Sequence, residues 1–160
     1  MVQTWNTAST RQWVLLPLRL VVGYGFIAHG LAKWARGPEH FGQLLHQIGV
    51  PLPIATAWLV TLTEVFGGLA ILVGAFAAIA SVPLIASMLV AMLTVQLRYG
   101  FSTVNTIGLS ASGPIFGPPG YEINLLYIAA LLAIALAGPG AFSVDRWLVE
   151  RHSRPRSSGA

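Results

Sequence analysis

The sequence has no cysteine, so disulfides, thiolate nucleophiles and dithiol redox chemistry are all excluded, and any redox work needs a borrowed cofactor. Charge is also scarce. Only 9% of the residues are Asp, Glu, Lys or Arg, against about 25% in an ordinary soluble domain. There are five acids in total, so each one inside an apolar stretch stands out. No internal repeat of solenoid period is evident, and the chain reads as one domain. What is abundant is apolar: 55% of the residues are hydrophobic, which places the chain in the membrane class before any motif is read. The net charge of +4 gathers in the tail at Arg146, Arg151, Arg154 and Arg156. With no aromatic and basic surface beside them, these read as a membrane-surface cluster and not as a nucleic-acid patch.

Taken in order, residues 1–12 form a polar cytoplasmic lead. A cleaved signal peptide is the rival reading, but the run that follows is long, contains Arg19 and lacks a clean A-x-A site. The apolar runs predict helices over about Trp13–Ala32, Ile54–Val73, Ala77–Leu97 and Tyr121–Ala137. Gly23, Gly25 and Gly30 suit close helix approach in the first of them. Residues 33–53 place Phe41, Leu44, Leu45 and Ile48 on one side of a helical period, which predicts a short interfacial helix flanked by Trp34 and Trp58. The link Gly74–Ala77 leaves room only for a tight antiparallel turn. Between Tyr99 and Tyr121 there is no charge and much Gly, Ser and Pro, which reads as a loop able to cover a pocket mouth. The fold class is therefore all-α: an integral membrane four-helix bundle over 13–142 with a short interfacial helix between helices one and two. Residues 143–160 add an amphipathic segment and a disordered basic tail. Arg11 and the tail arginines on one side, against Lys33, Arg36 and Arg98 on the other, put both termini in the cytoplasm.

Ionisable residues in apolar spans need a partner or a task. Arg19 and Glu64 fall near mid-span of antiparallel helices, about 5 Å apart along the membrane normal at 1.5 Å per residue, so the two are expected to pair. A packing salt bridge or a protonated Glu64 are the plain alternatives. His29, Lys33 and Glu122 form a second layer at the outer helix ends, with Gln96, Arg98 and Asn124 at the same level. An acid, a histidine and a lysine facing one small volume can donate hydrogen bonds and exchange protons; a water-exposed surface ion pair is the bland alternative. His40 and His46, six residues apart, lie on different faces and read as exposed interfacial side chains, and Met88 and Met92 read as packing.

The run R-L-x-x-G-x-G-F-x-x-H-G-x-x-K from Arg19 to Lys33, G-V-P-x-P from Gly49 to Pro53 and T-E-x-x-G-G from Thr63 to Gly68 carry a resemblance, continued by E-x-N at Glu122–Asn124 and G-P-G-x-x-S-x-D from Gly138 to Asp145. Together, in this order and spacing, they resemble the DoxX family. The resemblance implies a four-helix protein of the bacterial inner membrane, in a family named for a subunit linked to terminal quinol oxidase and thiosulfate:quinone oxidoreductase activity. Carried over residue by residue, it points to Arg19, His29, Lys33, Glu64 and Glu122; Asn124 joins them as a candidate ligand-binding residue.

The expected function is thus a quinone-linked role through a polar pocket bounded by His29, Lys33, Glu64 and Glu122. The competing readings are a non-catalytic subunit or assembly scaffold of a membrane oxidoreductase, and a proton or small-acid carrier. Candidate partners are the lipid bilayer, a larger oxidoreductase complex and a second copy in a homo-oligomer. No haem, nucleotide or metal motif is present: His29 is the only histidine in a predicted span, which excludes a bis-histidine haem.

Overall fold

The computed structural model describes residues 7–138 and 140–152. Most of the described residues are helical. α1 runs Thr7–Arg36, α2 Pro38–Gln47, α3 Pro53–Val73, α4 Ala77–Ala91, α5 Glu122–Ala137 and α6 Val144–His152. Past Ala91 the α4 rod continues as a π turn, Met92–Gln96, and a 3-10 turn, Leu97–Tyr99. α1 is longer than its apolar run because the polar residues at both ends keep helical geometry until Gly37, at φ 84°, breaks it. Pro38 and Pro53 then occupy first-turn positions, where a missing N–H costs nothing. The short helix expected in the 33–53 segment is α2, with Leu45 buried and His40 and His46 exposed.

The tight turn at Gly74 is present and has a clear cause. Gly74 adopts the left-handed conformation at φ 67°, and Ala75 N–H reaches back to the Ala70 carbonyl at 2.9 Å, closing α3. α4 starts two residues later, its first N–H groups capped from a distance in sequence: Phe76 N and Ala77 N donate to the Asp145 carboxylate at 2.7 and 3.2 Å.

α1 and α3 are the closest pair. A Cβ on Gly23 would lie 2.8 Å from the Gly68 carbonyl oxygen, and one on Gly68 equally close to that of Gly23, so backbone touches backbone there. The buried core is small: Val22, Phe26, Ile71, Ala77, Leu84, Leu131 and Ile134. Tyr127 on α5 joins it edge-on to Phe26 at 5.2 Å, its hydroxyl against Gly25. Large apolar side chains such as Val21, Phe66 and Ile79 point outward, a surface suited to lipid. Three helical segments, Trp13–Arg36, Pro53–Val73 and Ala77–Tyr99, are long and apolar enough to cross a membrane; α5 is a shorter apolar helix of 16 residues. Trp13 packs against Phe142 at 5.4 Å, so the start of the first apolar run and the end of α5 lie at the same end of the molecule. Trp34 and Trp58 meet at the other, 5.8 Å apart.

The loop expected between Tyr99 and Tyr121 contains a β-hairpin that was not foreseen. β1 (Thr106–Ser110) and β2 (Gly113–Phe116) pair antiparallel, with Leu109 opposite Pro114, Gly108 opposite Ile115 and a bulge between Thr106 and Gly108. The reversal is held by Ser110, whose hydroxyl donates to the Gly113 carbonyl at 2.9 Å. The all-α expectation therefore holds for the spans and omits this hairpin. The expected disordered tail lies, beyond His152, outside the described residues.

Candidate functional site

Glu64 sits in the middle of α3 and is 2% exposed. Its partner is Lys33, whose Nζ donates to both carboxylate oxygens. The pairing follows from helix register. Gly30 brings the α1 backbone against Glu64 and Val65, with room for nothing larger than hydrogen, and Lys33 lies one turn further along α1. Lys33 also lies over the Phe41 ring, 5.0 Å from its centroid, so the ammonium links α1, α2 and α3. Such a pair is costly to break, because removing either member leaves the other charge poorly solvated.

Beside the pair is a cavity of about 520 Å³. Phe41, Leu44 and Leu45 of α2 form one wall, Leu59, Val60 and Glu64 of α3 a second, and α4 from Pro83 through the π turn the third. Its polar groups are few: Lys33, Glu64, Thr56, Thr63, Ser87, Thr94 and Gln96. The π turn carries Thr94, whose hydroxyl is spent on the Val90 carbonyl at 2.7 Å, and Gln96, whose Oε1 is buried without a hydrogen-bond partner. π turns are frequent at functional sites, and an orphaned buried acceptor is uncommon in a settled core.

The other candidate residues go elsewhere. Arg19 does not pair with Glu64, and that expectation is corrected. Its guanidinium donates to the carbonyls of Ile71 and Leu72 at 3.1 Å each, Ala141 at 3.0 Å and Phe142 at 3.3 Å. Glu64 and Ile71 are two turns apart, about 10 Å along the helix; equal depth within separately centred spans is not the real register, which the glycine contacts set. Arg19 thus ties off the last carbonyls of α3 and the turn before α6, as orphan helix-end acceptors require. The second layer also divides. Glu122 accepts Thr103 N–H at 3.0 Å and anchors the hairpin base. Asn124 is buried, donates to the Met88 carbonyl at 3.4 Å and leaves Oδ1 unpartnered. His29 is exposed and takes no place among the cavity residues. A pocket bounded jointly by His29, Lys33, Glu64 and Glu122 is therefore not formed. Phe41, Thr63 and Ser87 were missed: Thr63 adjoins Glu64 in sequence, whereas Ser87 carries no signal apart from its place in an otherwise apolar helix. Among the described residues, no group of three or more His, Cys, Asp or Glu is placed to hold a metal ion.

Comparison with known proteins adds the following. The DoxX family model matches residues 14–97, more than half of the chain and spanning α1 to the π turn. An uncharacterized protein of Haemophilus influenzae is 28% identical over 142 residues, covering 88% of this chain and 94% of its own. An uncharacterized membrane protein of Mycobacterium tuberculosis is 28% identical over 142 residues, covering 84% and 80%. No solved structure matches the chain.

Proposed function

The chain belongs to the DoxX family of membrane proteins, and from that premise we propose that its α2–α3–α4 cavity binds a quinone or a similar membrane-soluble redox molecule. The observation that carries the proposal is the position of a part-buried charged pair, Lys33 and Glu64, on the wall of a largely apolar cavity of about 520 Å³. That size suits a single ring with the start of an apolar tail, in the range of sites that hold small ligands with a few placed polar groups. A quinone would supply the redox chemistry itself. The residues of the chain would bind and orient it. Lys33 Nζ has three N–H donors and Glu64 takes two, leaving one for a ring oxygen. Glu64 would hold the Lys33 ammonium in place for that contact, and Ser87 or the Gln96 amide would steady the far side of the ring.

The same reading places the chain in a bacterial inner membrane with four crossings and both termini cytoplasmic. α5 crosses in spite of its length, since its end meets Trp13 through Phe142, and Arg146 and Arg151 of α6 follow directly on that side. A reporter fused at Ala160 then reads as cytoplasmic; a periplasmic reading refutes this orientation.

One observation favours a second reading. Lys33 and Glu64 already satisfy each other, as a pair that only locks helices would. On that reading the chain is a non-catalytic subunit or assembly scaffold of a membrane oxidoreductase. The two separate on titration of the purified protein in nanodiscs with a short-chain quinone, followed calorimetrically. Binding saturates at one site and is lost when Ser87→Phe puts a ring into the cavity; heats for wild type no larger than for empty nanodiscs replace the quinone reading with the scaffold.

A further inference from the structure

We propose that the β1–β2 hairpin is a membrane-contact element that lies in the head-group layer of the bilayer and seats its apolar side chains at the boundary with the acyl chains. The hairpin has no charged residue: none occurs from Tyr99 to Tyr121. Its large apolar side chains face outward, with Ile107 64%, Leu109 82% and Phe116 61% exposed. The strand register puts Leu109, Pro114 and Phe116 on one face of the ribbon. In water that face would be a liability for a small two-stranded sheet with open edges. Next to a bilayer it is an anchor.

Its depth is fixed by what it is built on. The Ala77–Tyr99 segment is apolar enough to cross a membrane and ends where the hairpin segment begins. The base is clamped to the start of α5 by Gly120 N to Ser102 O at 3.0 Å, Tyr121 N to Gly100 O at 3.1 Å and Glu122 N to Phe101 O at 2.9 Å. Glu122 adds its carboxylate to Thr103 N. A Cβ on Gly120 would run into the carbonyl oxygens of Phe101 and Ser102, so the clamp requires glycine there. Phe101 and Tyr121 stack edge-on at 5.5 Å, and Arg98 lies over the Tyr99 ring at 4.9 Å. An aromatic and arginine collar of this kind marks head-group level. The hairpin is therefore held by its base at the end of the Ala77–Tyr99 segment, and the strands beyond it pack chiefly on each other. Its two outer edges have unpaired backbone groups, which hydrocarbon would not tolerate, so the ribbon lies along the interface and reaches only about 5–10 Å inward, as interfacial amphipathic elements do.

The lack of cysteine makes the test clean, because one introduced thiol is the only one in the chain. Nitroxide labels are placed singly by Leu109→Cys and Phe116→Cys, with Glu150→Cys on the exposed face of α6 as the aqueous control. All three side chains are exposed, so the fold is not disturbed. In proteoliposomes of phosphatidylethanolamine and phosphatidylglycerol, the 109 and 116 labels should collide several-fold more often with oxygen than with a water-soluble nickel chelate, and the 150 label should show the reverse. Nickel access at 109 and 116 equal to that at 150 would put the hairpin in water and overturn the proposal. Labels shielded from both reagents would overturn it too, in favour of a protein partner or second copy on that face.

Discussion

Lys33 and Glu64, on neighbouring antiparallel helices, form a two-pronged ion pair beside the cavity, while Arg19, on the same helix as Lys33, is spent on helix-end carbonyls two turns of α3 away. The two basic residues Arg19 and Lys33 of α1 therefore serve separate sites.

Breaking the pair by one member leaves a charge with little solvent. Glu64→Ala is expected to destabilise the protein by about 2–4 kcal/mol, below the upper range for fully buried pairs because Lys33 is 26% exposed. Lys33→Met and Glu64→Leu, made singly and together, should show a coupling of about 1 kcal/mol or more in a double-mutant cycle of thermal unfolding in detergent. Additive losses would mean that the ion pair contributes nothing beyond packing.

Arg19 behaves differently in the same experiment. Arg19→Lys keeps the charge but not the fork that reaches several carbonyls at once, so it should lose about 1–3 kcal/mol, as buried acceptors left unmet do. Combined with Glu64→Ala, its effect should be additive within about 0.5 kcal/mol. Coupling above that would restore a direct link between the two residues. Asp145→Ala, which uncaps α4, should cost about 1 kcal/mol by the same assay.

Close approach of α1 and α3 rests on Gly23 and Gly68. Adding a methyl at either would meet backbone, which does not yield, so Gly23→Ala or Gly68→Ala is expected to lose about 1–3 kcal/mol. Gly67→Ala faces only the Leu84 side chain at 3.2 Å and should be milder. Equal melting temperatures for Gly67→Ala and Gly68→Ala would show that the helices are not packed as described.

Much of this was legible from residue pattern. Apolar run length located α3 and α5 to within a residue and the start of α4, but it missed six residues at the start of α1 and four at its end, and the Gly74 turn followed from how little chain joins α3 to α4. Scarcity of charge also drew attention to Lys33 and Glu64, both of which reach the cavity. Their pairing was not legible, because depth counted separately along two helices carries an error of a turn or more, and the true register is set by which glycines meet. Gly30 opposite Glu64 decides it. The hairpin was hidden by its own composition: Gly, Ser and Pro dominate, the bulge breaks alternation, and only Ser112-Gly113 between Thr106–Ser110 and Pro114–Phe116 signalled a reversal. The π turn at Met92–Gln96 left no mark in an apolar run that reads equally well as ordinary helix.

The central claim, a redox ligand in the Lys33–Glu64 cavity, is tested most directly by extracting the protein, purified from its native membrane in mild detergent, with organic solvent and counting quinone per chain. The account predicts near-stoichiometric quinone from wild type, a loss of at least tenfold in Ser87→Phe, which puts a ring into the cavity without replacing a member of the ion pair, and a similar loss in Glu64→Gln. Wild type carrying no more quinone than an unrelated membrane protein purified in parallel, or Ser87→Phe retaining the full amount, would contradict it.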